Sequence, residues 1–303
     1  METKFISTKD ASDKWGISPR RVRALCERGK IDGAVLIGKG WGIPSDAKRP
    51  IDGRFRELTL AELYSKCQAK KAELAALRPL TDSETKRLND EFTVEYTYNS
   101  TAIEGNTLTL RETELVLRGI TIDRKPLKDH LETVNHRDAF YFMLSLVKNK
   151  EPLSERVVKE LHSIVLNDRL DARGLYRNAA VRILGATHIP PNPLKIPSLI
   201  AALLAEYNAD NDANIIKKVA EFHVKFENIH PFIDGNGRTG RLIANLELMK
   251  AGYPPVDIKF ADRKEYYDAF EAYSLTRSFD KAERLFARYV LEELERYIGV
   301  VKF

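Results

Sequence analysis

The sequence predicts a mostly α-helical protein: a helical body with one small β-hairpin, preceded by a compact basic module of two helices and a second hairpin. Three observations carry this prediction. Apolar residues recur at three- and four-residue spacing over most of the chain after Leu58. One segment, 174–197, interrupts that spacing with β-branched residues among glycines and prolines. The charge is also uneven. Residues 1–50 hold 11 Lys or Arg against 6 Asp or Glu, which is the whole net charge of +5, whereas the remaining residues hold 38 of each. At 303 residues the chain has room for one large domain or two unequal ones. We divide it into 1–50 and 51–303.

Composition excludes several classes. A 43% hydrophobic and 31% charged chain is globular and soluble rather than disordered. The longest uncharged apolar stretch, 196–205, is about half a membrane span, and the opening METKFISTKD lacks the apolar core of a secretory signal. We therefore expect no membrane partner and a cytoplasmic location. Two cysteines, Cys26 and Cys67, are too few for a disulfide framework or a four-cysteine zinc site and fit a reducing compartment.

In the basic module, Ser7-Thr8-Lys9-Asp10 caps a short helix to about Trp15. Gly16-Ile17-Ser18-Pro19 is a turn, with Ser18 as N-cap and Pro19 at the first position of a helix over 20–28 that stops at Gly29. Residues 34–37 and 41–44 flank Gly38-Lys39-Gly40 as a hairpin. Helix, turn, basic helix and hairpin in this order resemble the winged helix-turn-helix modules of excisionase and MerR-type DNA-binding proteins, in the stretch ASDKWGISPRRVRALCERGKI…GKGWGIPSDA. The resemblance implies DNA as a partner, with Arg20, Arg21 and Arg23 at the start of a recognition helix. A basic face on a protein-docking domain is the other reading.

Residues 48–56, with Pro50 and Gly53, read as a linker. Leu60, Leu63, Tyr64, Cys67, Leu74 and Leu77 then mark a helix, followed by another over 84–104 that stops at Gly105. Thr109-x-x-Glu112 is a capping box, and the helix it opens stops at Gly119. Residues 133–147 and 155–166 are further amphipathic stretches. The segment 174–197 reads as a hairpin and an irregular loop, and helices resume at Ser198.

Chemistry concentrates in His230-Pro231-Phe232-Ile233-Asp234-Gly235-Asn236-Gly237-Arg238-Thr239-Gly240-Arg241. An apolar helical stripe (Ile215, Val219, Phe222, Phe226, Ile229) precedes it and another (Leu242, Ile243, Leu246, Met249) follows, so it is a loop between buried helices. Glycines on both sides of Asn236 allow successive backbone N–H groups to converge on an anion, directly at a helix N-terminus. Arg238, Arg241 and Asn245, spaced i, i+3, i+7, share a face and are expected to aim at that anion. Asp234 is a hard oxygen ligand suited to Mg²⁺ on phosphates. His230 suits a general base at neutral pH. Gly235-x-Gly237-x-x-Gly240 also matches the dinucleotide-binding fingerprint, but that motif needs a preceding strand and here a helix precedes it. There is no Walker A loop and no H-E-x-x-H zinc motif.

HPFIDGNGRTGR resembles the Fic-domain signature HPFx(D/E)GNGRxxR at every fixed position, and the resemblance extends over roughly residues 90–275, through ANLELMKAGYPP. It implies a Fic-type helical bundle with a hairpin flap over 174–193, which pairs with the target. It further implies transfer of AMP from ATP to a hydroxyl side chain of a target protein. His230 would take the hydroxyl proton and Asp234 would hold Mg²⁺. Gly235, Asn236, Gly237, Arg238 and Arg241 would hold the triphosphate, with Tyr266 and Tyr267 near the adenine. Within NSTAIEGN, Ser100 and Glu104 match the family's inhibitory motif (S/T)xxxE(G/N). Glu104 would pair with Arg241 and displace the γ-phosphate, so residues of about 90–105 form an inhibitory helix. A carboxylate at a helix C-terminus is in any case better placed beside a cation. The alternatives are removal of AMP from a modified protein and a nucleotide-sensing, DNA-binding transcriptional regulator. A homo-oligomer is compatible with each.

Overall fold

The computed structural model describes residues 5–15, 18–38, 40–45, 47, 58–183, 187–210 and 212–302. The chain divides into two compact units, Met1–Leu58 and Thr59–Phe303. The expected linker over 48–56 lies outside the described residues, as do residues 16 and 17 of the expected turn and Lys39 of the hairpin loop.

The first unit runs β1 (Phe5–Ile6), α1 (Thr8–Trp15), α2 (Pro19–Glu27), β2 (Val35–Ile37) and β3 (Gly40–Pro44). Ser7 and Asp10 cap α1 together: the Ser7 hydroxyl donates to Asp10 at 2.7 Å and accepts the Asp10 N–H at 3.2 Å. Ser18 accepts the Arg21 N–H at 3.3 Å, with Pro19 opening α2 as expected. β3 is the middle strand. It pairs antiparallel with β2 in the expected hairpin, Leu36 opposite Trp41, and with β1, Ile6 opposite Ile43. β1 is not foreseen, because two residues display no period. Ala11, Trp15, Val22, Leu25, Cys26, Ile31 and Ile43 form the core of this unit.

The second unit is helical among its described residues: α3 (Leu60–Ala76), α4 (Asp82–Ile103), α5 (Leu110–Leu117), α6 (Leu127–Lys148), α7 (Glu155–Val165), α8 (Ile196–Ala209), α9 (Ile215–Ile229), α10 (Asn236–Lys250), α11 (Arg263–Thr276) and α12 (Asp280–Lys302). Capping boxes at Thr59/Glu62, Thr81/Glu84 and Thr109/Glu112 start α3, α4 and α5. Two apolar clusters share the interior. One gathers Phe140, Leu161, Ile200, Phe226 and Leu242; the other gathers Val224, Leu248, Tyr266, Phe286 and Val290. α9 and α10 contribute to both, and residues 238–248 of α10 are buried throughout. The loop joining these two helices is therefore held by the centre of the unit rather than by its rim.

Two expectations change. α6 begins at Leu127, six residues ahead of the predicted stretch, because its first turn is polar and its Leu127 is exposed, so no apolar stripe marks it. The segment 174–193, expected as a hairpin, carries no strand among its described residues, and residues 184–186 lie outside them. Its polar groups bond to the body instead. The Arg177 N–H donates to the Pro231 carbonyl at 2.9 Å, His188 Nε2 lies 2.7 Å from the Asn228 carbonyl, and the Thr187 hydroxyl donates to Glu271 at 2.5 Å.

Candidate active site

The loop between α9 and α10 is built around Phe232, which is fully buried and stacks on the His162 ring of α7 at 3.6 Å between centroids. Asn236 clasps it: its Oδ1 accepts the Phe232 N–H and its Nδ2 donates to the Phe232 carbonyl, both at 2.9 Å. The Asn236 side chain is thus structural, and any contact it makes with an anion comes from its backbone N–H. His162 Nδ1 accepts the Gly174 N–H at 2.9 Å, so the opposite nitrogen donates to the Asp234 carbonyl at 3.0 Å. Burial pushes this imidazole down to about 4, so it stays neutral and the bridge persists at neutral pH.

His230 caps the C-terminus of α9 in the left-handed conformation, φ +49°. Burial, and after it the Arg177 guanidinium, push its imidazole down to about 4 against the opposing pull of Glu104, the Glu227 carbonyl and Asp234. It is neutral at pH 7, the form that accepts a proton. Gly235 caps α10 with φ +75°, and no side chain caps this helix N-terminus. Asp234 accepts the Gly235 N–H at 2.6 Å and Arg238 Nη2 at 2.9 Å, both at Oδ1. Burial pushes the Asp234 carboxyl up, but Arg238 and the Gly235 N–H outweigh it and hold the group below its usual range.

The two arginines of α10 have different surroundings. Arg238 is 1% exposed, yet its Nε and Nη1 make no hydrogen bond, and Nη1 only lies 3.4 Å from Glu132 Oε1. Arg241, 2% exposed, has a partner for every nitrogen. Its Nε donates to the Ser100 hydroxyl at 2.9 Å, and its Nη2 to the Ser100 carbonyl at 2.7 Å and Glu104 Oε1 at 2.8 Å. Its Nη1 donates to the Tyr266 hydroxyl at 3.1 Å. Burial opposes this charge, but Tyr266 and Glu104 hold the guanidinium above its ordinary value. Glu104, the C-cap of α4, also lies over Gly237: a Cβ there would collide with the carboxylate. An anionic side chain thus sits at the opening of α10, where the glycine leaves room for it. Nearby, Glu227 is pushed up to about 8, first by burial and then by Glu104, so it is largely protonated at pH 7.

The structure brings His230, Asp234, Gly235, Asn236, Gly237, Arg238, Arg241, Ser100 and Glu104 around one helix N-terminus. Two expectations are corrected. Asn245 does not aim at an anion: its carboxamide bonds both the N–H and carbonyl of Val256, at 2.7 and 2.9 Å, because it lies two turns down α10 against that returning chain. Tyr266 is 1% exposed and bridges Arg241 to His223 Nε2 at 2.7 Å, which leaves its hydroxyl inside the core and unavailable to an adenine. Tyr267 is exposed, with its hydroxyl donating to the Ile103 carbonyl at 3.2 Å. Sequence reasoning missed His162, Glu132 and Arg177. Only Arg177, an arginine amid the apolar residues of GLYRNAAV, left a local signal.

Residues 152–248 match the model of the Fic/DOC family. The chain carries a Fic domain. It is 32% identical to a Culex quinquefasciatus protein named protein adenylyltransferase Fic, over 78% of this chain and 47% of the relative. To a Nematostella vectensis protein of the same name it is 33% identical, over 78% and 55%. The chain thus spans about half the length of the curated relatives it matches. The fold resembles a Fic-domain signalling protein from Bacteroides thetaiotaomicron, with TM-score 0.70, 27% identity, and 79% and 97% of the two chains covered. It also resembles residues 134–508 of Fic-1 from C. elegans, with TM-score 0.72, 28% identity, and 80% and 73% covered. The matched Fic residues begin just before α7 and end within α10, so His162 and the whole loop fall inside them, while Glu104 and Arg20, Arg21 and Arg23 fall outside. Among the described residues no helix is long and apolar enough to cross a membrane.

Proposed function

We propose that this protein transfers AMP from ATP to a hydroxyl side chain of a target protein, and that Glu104 restrains the reaction. The observation that carries the proposal is a neutral imidazole, His230, at one end of a short loop whose other end opens an uncapped helix N-terminus beside two buried arginines. In this reading the target hydroxyl gives its proton to His230, its oxygen bonds to the α-phosphorus, and the bond to the leaving pyrophosphate breaks. The N–H groups of Asn236 and Gly237 and the unmade donors of Arg238 receive phosphate oxygens, and the Gly235 N–H, which donates to Asp234, joins them only if it exchanges that acceptor. Tyr267 is the tyrosine left near the adenine.

Asp234 suits magnesium: it is a partly exposed carboxylate whose Oδ2 accepts no hydrogen bond among the described residues. No group of three or more His, Cys, Asp or Glu that could hold a metal ion lies among those residues, so a magnesium ion would have to take its remaining ligands from phosphates and water. When bound, such an ion neutralises phosphate charge.

Glu104 holds Arg241, the second arginine of the signature, and lies where a phosphate would approach Gly237. Self-inhibition follows from competition between two anions for one guanidinium. The N-terminal unit, residues 1–50 in our division, we read as a winged helix-turn-helix that binds DNA. Its net charge of +5, with Arg20 and Arg23 exposed and Arg21 half-buried on α2, supports this. Its DNA affinity should fall steeply as salt rises. Unpaired, buried Cys26 and Cys67 suit a reducing cytoplasm.

The test supplies α-³²P-ATP or γ-³²P-ATP to the full chain with cell lysate. Label from the α-position alone supports AMP transfer. Label from the γ-position indicates kinase chemistry, loss of label from a modified protein indicates hydrolysis, and no label in either direction favours the nucleotide-sensing regulator.

A further inference from the structure

Arg177 lies behind His230 and takes no part in the chemistry described above. We propose that Arg177 is a positioning residue for His230: one buried guanidinium fastens the backbone that carries the imidazole to both limbs of the 174–193 segment. Its Nε donates to the His230 carbonyl at 2.8 Å, and its own N–H donates to the Pro231 carbonyl at 2.9 Å. In the other direction Nη1 donates to the Ala179 carbonyl at 3.0 Å and Nη2 to the Pro191 carbonyl at 2.7 Å, while Nη2 also lies 3.5 Å from the Ile229 carbonyl on the His230 side.

Two features argue that this arrangement does more than fill space. His230 is a non-glycine residue at φ +49°, a conformation that persists only where its surroundings hold it. The carbonyls of residues 229, 230 and 231, left without helical partners where α9 ends, are the ones Arg177 collects. Arg177 is also 4% exposed, and among the described residues no carboxylate pairs with it. A buried cation bonded only to neutral carbonyls is a costly choice for packing alone, since an apolar side chain would fill the volume without desolvating a charge. What an apolar residue, or a lysine, lacks is a rigid planar fork that reaches several acceptors at once. The charge acts on the imidazole too. The charged groups around His230 are Arg177 from the 174–193 segment, Glu104 from the end of α4 and Asp234 from the loop, with the Glu227 carbonyl of α9 beside them. Arg177 is the one among them that disfavours protonation.

The activity arm of the test rests on the transferase reading; the spectroscopic arm does not. Arg177→Lys keeps the charge and loses the fork, and Arg177→Met loses both. Each is made in the full chain with Glu104→Gly as parent. Label transfer from α-³²P-ATP is measured as kcat and KM, and the His230 imidazole is titrated by ¹⁵N NMR without nucleotide. Both variants should lose about tenfold or more in kcat with KM for ATP changed by less than about threefold. His230 should titrate at higher pH in Arg177→Met than in the parent, and near the parent value in Arg177→Lys. A role in packing alone would lower the melting temperature and leave the titration and the kcat of folded protein in place, and that result overturns the proposal. If Arg177→Met does not fold, a kcat in Arg177→Lys equal to the parent's overturns it. If the parent itself transfers no label, the transferase reading fails, and the titration alone decides whether Arg177 controls His230.

Discussion

Arg238 and Arg241 lie one turn apart on α10, and both are buried and paired with a carboxylate, yet they differ in how fully their nitrogens are bonded. Arg241 has a partner for every nitrogen, supplied by α4 and Tyr266. Arg238 keeps two donors without a hydrogen bond. A buried donor left unmade costs about 1–3 kcal/mol, and on the transferase reading a phosphate oxygen supplies the missing acceptor. Arg241 has already received its acceptor from within the chain, as Glu104. On the transferase reading the comparison separates readiness from restraint: Arg238, paired with Asp234, keeps donors for a phosphate, whereas Glu104 takes the phosphate's place on Arg241.

The predictions follow from this contrast. The largest effect belongs to the group both arginines serve. His230→Ala should lower transfer of α-label by about 10²–10⁴-fold while ATP affinity, read by calorimetry, changes only a fewfold, because the imidazole acts on the hydroxyl proton. Transfer retained by a folded variant would remove His230 from the mechanism. Next come the arginines. Arg238→Gln should weaken ATP binding by about tenfold or more, the loss of a charge-assisted pair, both in the wild type and with Glu104→Gly. Arg241→Lys should do so only with Glu104→Gly, since in the wild type its guanidinium is already occupied. Equal losses for Arg241→Lys in the two backgrounds would show that Glu104 does not compete. The smallest effect is pH. An ordinary histidine protonates near 6.5, but His230 is held down to about 4. Its base form persists as pH falls from 8 to about 5 and is lost only as pH passes through about 4. Transfer at saturating ATP should differ by less than about twofold between pH 7.5 and 5.5, and a fall centred near 6.5 would contradict the assigned environment.

Much of this site is legible in the residues themselves. The glycines that admit positive φ, the histidine ending one helix and the arginines opening the next are local features, and local rules read them. So is Thr109-x-x-Glu112, which caps α5 as written. What is illegible depends on chain that returns from elsewhere. Spacing places Asn245 on the arginine face, but the Val256 backbone, which packs there, claims its carboxamide. The glycines beside Asn236 place its backbone N–H in an anion nest, but nothing local tells that its side chain clasps Phe232. His162 belongs to an ordinary amphipathic helix until Phe232 and Asp234 are brought against it. The 174–193 segment has the composition of a hairpin, yet two of its backbone acceptors, at Ala179 and Pro191, are met by Arg177, which no pairing rule anticipates. The polar first turn of α6 is illegible for the opposite reason, having no apolar pattern to read.

The central claim is that Glu104 and the γ-phosphate compete for Arg241. The most direct measurement compares the rate of α-label transfer, to itself and to lysate proteins, by the full chain and by Glu104→Gly at equal ATP occupancy. Gly at this position follows a helix end and precedes Gly105, so folding should be little affected. The account predicts a rise of about tenfold or more, corresponding to a released charge-assisted pair of about 1.5–3 kcal/mol, and silence when His230→Ala is added. A folded Glu104→Gly protein that binds ATP and transfers label no faster than wild type would contradict it.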